Sequence, residues 1–421
     1  MLRLLRRAAS DALAVPACLL LAVHAARAAG DSRRRRERGA KPRLIYGPVP
    51  ILSFKYMSRG MRAAGYEATT VVDQLYVIHK RDDFDIVADR RTLPSPRPGV
   101  LGQVARWFGY DYGLFAWAVE HHDVFHCFFD GGFLRRTPLR YLEVQLLHLA
   151  GKRVIVMPYG SDTAAPSRVR SLAWRDGLMR NYPALSRTEG RTLRWIDYYS
   201  RRADFIVACL VHAETLPRWD LLTTHYYPID TDAWAPAGVS GADGRGTPVV
   251  VVHAPNHRGM KGTEFLIEAC EQLRREGLEV ELRLLEHVSN EEVKAAMEAA
   301  DIVAEEFLLG YALTAMEAMC LGRPVLSNLS EEGYYEVHRW STGLDDCPIV
   351  STRPHEIADN LRRLVVDPEM RRRIGQAGRD YVVRYHSYAA MAYLWDAIYR
   401  RVWGGEDIDP REALPNRRAT E

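Results

Sequence analysis

Beyond about residue 40 the chain alternates short apolar runs with longer segments in which apolar residues recur every three or four positions. In the first half these runs are RLIYG (43–47), ATTVV (68–72), DVFHCFF (123–129), KRVIVMPY (152–159) and DFIVACL (204–210). Their length and composition predict strands, the stretches between most of them predict helices, and the alternation predicts a parallel sheet covered on both faces. The same alternation resumes with VVVVH (249–253), a helix over 263–276, VELRLLE (280–286), a helix over 290–299 and DIVAEE (301–306). Between the halves, APAGVSGADGRGTP (235–248) has the Gly, Pro and small-residue content of a linker. The expected organisation is two α/β domains with doubly wound parallel sheets, 41–234 and 249–384. A long apolar helix over 385–404 is able to cross back onto the first domain, and 405–421 reads as a frayed tail.

Residues 1–40 break the pattern. ALAVPACLLLAV (12–23) is an uncharged apolar run of twelve residues, preceded by Arg3, Arg6 and Arg7 and followed by Arg33 to Arg36 and Arg38. It is shorter than the ~20 residues needed to span a bilayer. Small residues before Gly30 give it the look of a signal peptide, but positive charge just after an apolar segment resists translocation. A helix lying in the inner leaflet with its arginines among anionic head groups fits both features. The expected location is therefore cytoplasmic, peripheral on the inner face of the membrane, with a cleaved signal and a disordered leader left open.

A chain of 421 residues is long for one core, and 47% hydrophobic with 26% charged residues is the composition of a globular protein. The net charge is +3 and only six of the 57 basic residues are lysine, with no basic stripe interleaved with aromatics past the N-terminus. Nucleic acid is not an expected partner. The six cysteines lie far apart, mostly inside apolar runs, without CxxC or Cys/His spacing, so buried thiols and no metal are expected.

Two glycine-rich stretches fail as nucleotide signatures. GADGRG (241–246) precedes a strand where the dinucleotide fingerprint must link strand to helix, and GMKGT (259–263) lacks the spacing of a phosphate loop. HAPNHRGMKGTEFLIEA (253–269) is more informative, because it follows a buried strand and ends in a helix. Arg258 and Lys261 then sit at a loop tip beside a helix N-terminus, which suits a diphosphate, although taken alone a solvated basic loop is the plainer account of them. In GYALTAMEAMCLGRPVLSN (310–328), Thr314 and Glu317 are spaced as a capping box, and Gly322 and Pro324 stop the helix. The box alone accounts for Glu317. It leaves unexplained the GYAL loop, whose N–H groups are placed to face an anion.

Taken together, the two segments resemble the donor-binding half of the GT-B glycosyltransferases, in particular the large family-four, or group 1, set. The likeness extends over most of 43–400, through YGSD (159–162), PIDTDAWAP (228–236) and the crossover helix. It implies two Rossmann-like domains and a nucleotide-sugar donor, with Arg258 and Lys261 on the diphosphate and Glu317 on the ribose hydroxyls. Gly310, Tyr311, Leu313 and Thr314 would form the donor loop, with Ala312 where a second glycine often stands. The family's first glutamate, seven residues before the second, has no counterpart here. Leu309 stands eight positions before Glu317, leaving Glu305, Glu306 or a backbone group to substitute, and Glu306 is the candidate. In the first domain, Gly47 of GPVPIL would leave room for a phosphate or sugar. His126 takes the place of the first histidine of an H-x-H, with Phe128 as the second, unless it is a core histidine. Asp162 of YGSD would hold the acceptor or cap the next helix.

The activity implied is transfer of a sugar from a nucleotide diphosphate sugar to a hydroxyl of a lipid-linked or polysaccharide acceptor, retaining configuration, without cofactor or metal. A nucleotide-sugar epimerase and a catalytically silent nucleotide-sugar-binding protein of the same frame remain the alternatives.

Overall fold

Aspartates that immediately precede apolar runs recur along the chain, and they act alike in three dimensions. The carboxyls of Asp85, Asp123, Asp204, Asp220 and Asp301 accept the backbone N–H of Thr70, Arg43, Val154, Ile206 and Val250 respectively, at 2.8–3.0 Å. Each pairs a donor on the neighbouring strand that would otherwise be left unpartnered in or near the core. The structure is a computed structural model that describes residues 2–88, 109–209, 212–224, 227–236, 238, 240–308, 310, 312–330, 336, 339 and 343–414, with side chains from residue 12 onward.

The chain opens with helix α1 (Leu2–Glu37), followed by β1 (Leu44–Tyr46), α2 (Leu52–Ala63), β2 (Ala68–Val72) and β3 (Ile86–Val87). Then come α3 (Tyr110–His121), β4 (Val124–Phe128), α4 (Glu143–Leu149), β5 (Arg153–Met157), α5 (Leu172–Asn181), α6 (Leu185–Arg202), β6 (Phe205–Cys209) and β7 (Leu221–Thr223). These seven strands form one sheet in the order β3-β2-β1-β4-β5-β6-β7, parallel throughout. The second domain contributes β8 (Val249–His253), a single turn α7 (Arg258–Lys261), α8 (Thr263–Arg275), β9 (Val280–Leu284), α9 (Asn290–Glu298), β10 (Ile302–Ala304), α10 (Leu313–Cys320), β11 (Val325–Ser327), β12 (Val350–Ser351), α11 (Ile357–Val366) and α12 (Pro368–His386). Its sheet runs β12-β11-β10-β8-β9, again parallel.

Helices on both faces explain why central strands such as β4 and β6 are buried at every position and read as continuous apolar runs. Strands β3 and β12 have two residues each and lie at sheet edges, too short to give a periodic signal. After Ser387 caps it, α13 (Tyr388–Tyr399) crosses to the first domain and packs against α2. Tyr399 there bonds both Tyr46 and His126 at 3.0 Å. The tail corrects the expectation of fraying as far as Leu414, which is buried along with Pro410. Residues 415–421 lie outside the described residues.

The leader is continuous helix through the arginine block, and one stripe of it, Ala14, Leu21, Ala25 and Ser32, is buried against the first domain. Ser32 Oγ donates to Ala150 O at 2.9 Å, and Arg35 Nε donates to the buried Asp123 at 3.1 Å. Part of the arginine block thus serves the fold.

Candidate functional site

A cavity of about 320 Å³ lies between the domains. Segments that line it follow the carboxyl ends of strands in both sheets: Ile51 to Ser53 after β1, Ile78 after β2, Tyr159 after β5, Ala254 to Asn256 after β8, His287 after β9 and Ala312 to Thr314 after β10. Ligands of open α/β sheets bind at such ends. Lys261, Leu313, Thr314 and Glu317 all line this one cavity. His287 is there too, in the left-handed region at φ 58°, which a non-glycine residue seldom adopts.

The cationic turn is built by its neighbours. Gly262, at φ 70°, ends α7 and starts α8. Lys261 Nζ donates to Glu305 Oε1 at 2.5 Å and to Glu306 Oε2 at 3.0 Å. Burial disfavours the ammonium, but the two carboxylates outweigh it and raise its pKa, so Lys261 stays charged. Burial and the charge of Glu305 push the Glu306 carboxyl up to about 7 against the pull of Lys261. Glu305 also accepts the N–H of Ala312 at 3.1 Å, tying the lysine to the start of α10. Arg258 is placed differently. Its guanidinium is half exposed, bonds Glu264 at 2.8 Å and Glu286 at 3.1 Å, and is absent from the cavity lining.

The first domain grips this turn directly. Asn181 Oδ1 at the end of α5 accepts the N–H of Met260 at 2.8 Å, and Tyr182 Oη meets His257 Nε2 at 2.5 Å. A Cβ on Gly259 would stand 2.6 Å from Asn181 Oδ1, so a side chain there would push the Asn181 amide away from its bond to Met260. Asn181 and Tyr182 were not legible as site residues, since contacts between domains leave no local pattern.

Glu317 does not cap its helix, contrary to the capping-box expectation. Helix α10 begins at Leu313 with Ala312 as N-cap and no side-chain cap bond, so Thr314 falls inside the first turn. Freed from that role, the Glu317 carboxyl accepts a 3.1 Å bond from the hydroxyl of Tyr56. Burial pushes it up to about 8, with the Tyr56 bond opposing.

Other expected contacts are placed away from the cavity. His126 is fully buried, stacked on Tyr46 with ring centres 4.4 Å apart, and burial lowers its pKa to about 3, so it is a neutral core residue. Asp162 accepts the N–H groups of Phe129, Tyr159 and Gly160 at 2.9–3.1 Å and organises the loop after β5, while burial and Asp130 raise its pKa to about 7. Gly47 is required by packing, since a Cβ would sit 2.0 Å from the carbonyl oxygen of Val71. The N–H of Gly310 is spent on Asn328 O at 3.0 Å, so it does not face an anion. Glu306 holds Lys261 and does not itself line the cavity. Tyr311 and Leu309 lie outside the described residues.

Residues 262–395 match the family model described as glycosyl transferase-like. Among solved structures, that of Anabaena Alr3699/HepE in complex with UDP is similar with a TM-score of 0.52 at 13% identity, covering 83% of this chain and 97% of that one. The same protein in complex with UDP-glucose gives a TM-score of 0.51 at 14% identity, covering 83% and 97%. The chain has the GT-B fold. The matched family segment contains Glu317 and begins one residue after Lys261, in the half whose motifs resemble the group 1 enzymes. Among curated proteins, none matches this GT-B chain.

Proposed function

We propose that this GT-B protein is a glycosyltransferase that moves a sugar from a nucleotide diphosphate donor to a hydroxyl of a lipid-linked or polysaccharide acceptor. The observation that carries the reading is that Lys261 and Glu317, read separately from two motifs, line one cavity between the domains. Lys261 would neutralise charge developing on the leaving diphosphate, with the N–H groups of Leu313 and Thr314 at the open start of α10 beside it. With that cation in place the reaction calls for no metal. Glu317 would receive the ribose hydroxyls.

During transfer the bond from the anomeric carbon to the phosphate oxygen breaks, a bond to the acceptor oxygen forms, and the acceptor proton passes to the departing phosphate. Glu317 is the one carboxyl group among the described residues lining the cavity, and a route in which the departing phosphate takes the proton, with retained configuration, needs no separate carboxylate base. A melting screen against UDP, GDP, ADP and their sugar conjugates tests donor binding, because ligand at 100 times its Kd adds about 2.7 kcal/mol. The conjugate that stabilises is then incubated with and without a lipid-linked sugar, and release of nucleoside diphosphate that depends on acceptor is expected. No stabilisation by any of them would overturn the reading.

We further propose that α1 rests on the inner membrane surface. Its docked stripe faces the first domain, while Val15, Leu19 and Val23, four residues apart, stand 52–68% exposed with Leu20 beside them. Arg33, Arg34 and Arg38 are exposed at its end, ready for anionic head groups. Removing residues 1–40 would also take away Ser32 and Arg35, so substitution is the cleaner test. Leu19→Ser, Leu20→Ser and Val23→Ser together are expected to move the protein from the membrane pellet to the supernatant with its melting temperature unchanged. Continued pelleting would show that another surface holds it.

A further inference from the structure

The hydroxyl that reaches Glu317 comes from the opposite domain. Tyr56 lies on α2, and its oxygen also accepts a 3.2 Å bond from Trp234 Nε1, just before the linker. Both aromatic residues are 4% exposed. An indole N–H can only donate, so it fills an acceptor position on the phenol oxygen and leaves the phenol proton for Glu317. The chain of bonds therefore has one direction, from Trp234 through Tyr56 to the carboxyl. Trp234 is itself fixed, its carbonyl accepting from Arg379 at 3.1 Å and its ring lying 5.3 Å from Lys294 Nζ.

This arrangement does two things to Glu317. It engages Oε1 with a donor that belongs to the first domain, and it restricts rotation of the carboxyl, which still lines the cavity. A carboxyl held in one orientation loses less freedom when it accepts a ligand hydroxyl, and the gain appears only for ligands that carry that hydroxyl. We propose that Tyr56 is a positioning residue that makes the donor site selective for ribose, by fixing Glu317 so that its remaining acceptor capacity meets a ribose hydroxyl. The inference rests on the reading that Glu317 receives the ribose.

The test measures equilibrium binding of UDP, GDP and ADP, each beside its 2′-deoxy and 3′-deoxy counterparts, to the full-length protein and to Tyr56→Phe. For the ribonucleotide that binds best, the unaltered protein is expected to favour it over one deoxy counterpart by about 10-fold or more, as a site built around a hydroxyl does. In Tyr56→Phe the preference is expected to shrink to about 2-fold, through weaker binding of the ribonucleotide and unchanged binding of the deoxynucleotide. Trp234→Phe, which removes the donor to the Tyr56 oxygen, is expected to shift the preference in the same direction by less and stands in if Tyr56→Phe fails to fold. An unchanged preference overturns the inference. So does equal weakening of both nucleotides, the mark of a merely structural residue, or tighter ribonucleotide binding, the mark of a competitor for Glu317. If the unaltered protein binds a nucleoside diphosphate without preferring ribose, both the inference and the ribose role of Glu317 fall while donor binding stands. If it binds none, the proposed function falls with them.

Discussion

Lys261→Ala is expected to lower turnover at least ~100-fold, the scale on which losing one charge-stabilising donor acts. It is also expected to lower stability, and the two effects have separate causes. Lys261 is the shared cation of Glu305 and Glu306, with its side chain 12% exposed and that of Glu305 1% exposed. Breaking a buried ion pair by removing one partner costs about 3–5 kcal/mol, because the charge left behind has no compensation. Glu306, already pushed up to about 7, can take a proton, whereas Glu305 keeps the N–H of Ala312 and the hydroxyl of Ser327 as its donors. The double variant Lys261→Ala with Glu306→Gln should therefore regain part of the lost stability and none of the lost turnover. Steady-state rates and thermal melts on both variants check the two halves independently. Near-normal turnover in Lys261→Ala would remove the cation from the chemistry.

The sequence announced the frame of the molecule because parallel strands buried on both faces leave dense apolar runs, and β4, β5, β6, β8 and β10 all fall within runs read in that way. It announced Lys261 and Glu317 through local motifs. Local pattern fell short where the partner is remote. The Thr314 and Glu317 spacing satisfied the capping rule, yet the hydrogen bond that decides Glu317 comes from Tyr56, 261 residues away in sequence. Gly47 and Gly310 are glycines with clear reasons, but the reasons are the Val71 carbonyl and a turn at φ 92°. His126 likewise owes its place to Tyr399 on the crossover helix, 273 residues on. One signal was available and unread: aspartate directly before an apolar pair at 85, 123, 204, 220 and 301. It marks the amino end of β3, β4, β6, β7 and β10, so it points to the sheet ends opposite the cavity and sets these carboxylates apart from catalysis.

Asp123 is the member of that set with the most depending on it, and Asp123→Ala is expected to cost about 3–5 kcal/mol. The carboxyl is fully buried and accepts the backbone N–H and the guanidinium of Arg43 at 3.0 Å, Arg35 at 3.1 Å and Lys152 at 3.3 Å. Replacing a whole buried ion cluster by apolar residues is often harmless, but removing its fully buried anion alone is different, since Lys152, 1% exposed, would keep its burial and lose the carboxylate it bonds. The sign of the pH dependence follows from the same contacts. Burial works against the charge, yet Arg43 and Lys152 override it and hold the Asp123 carboxyl down to about 2, below its ordinary value. Its stabilisation is therefore complete above that ordinary value and is lost as the pH falls through about 2, where the folded state must take up the proton. Urea unfolding between pH 5 and 2 should show this fall in the unaltered protein and a flatter course in Asp123→Ala, a window taken from the range over which such a paired carboxyl titrates. Because Arg35 belongs to α1, the variant should also free the end of that helix, read as faster hydrogen exchange over residues 30–37. An unchanged midpoint with unchanged exchange would mean that the apolar stripe from Ala14 to Ala25 holds α1 in place without help from the arginines.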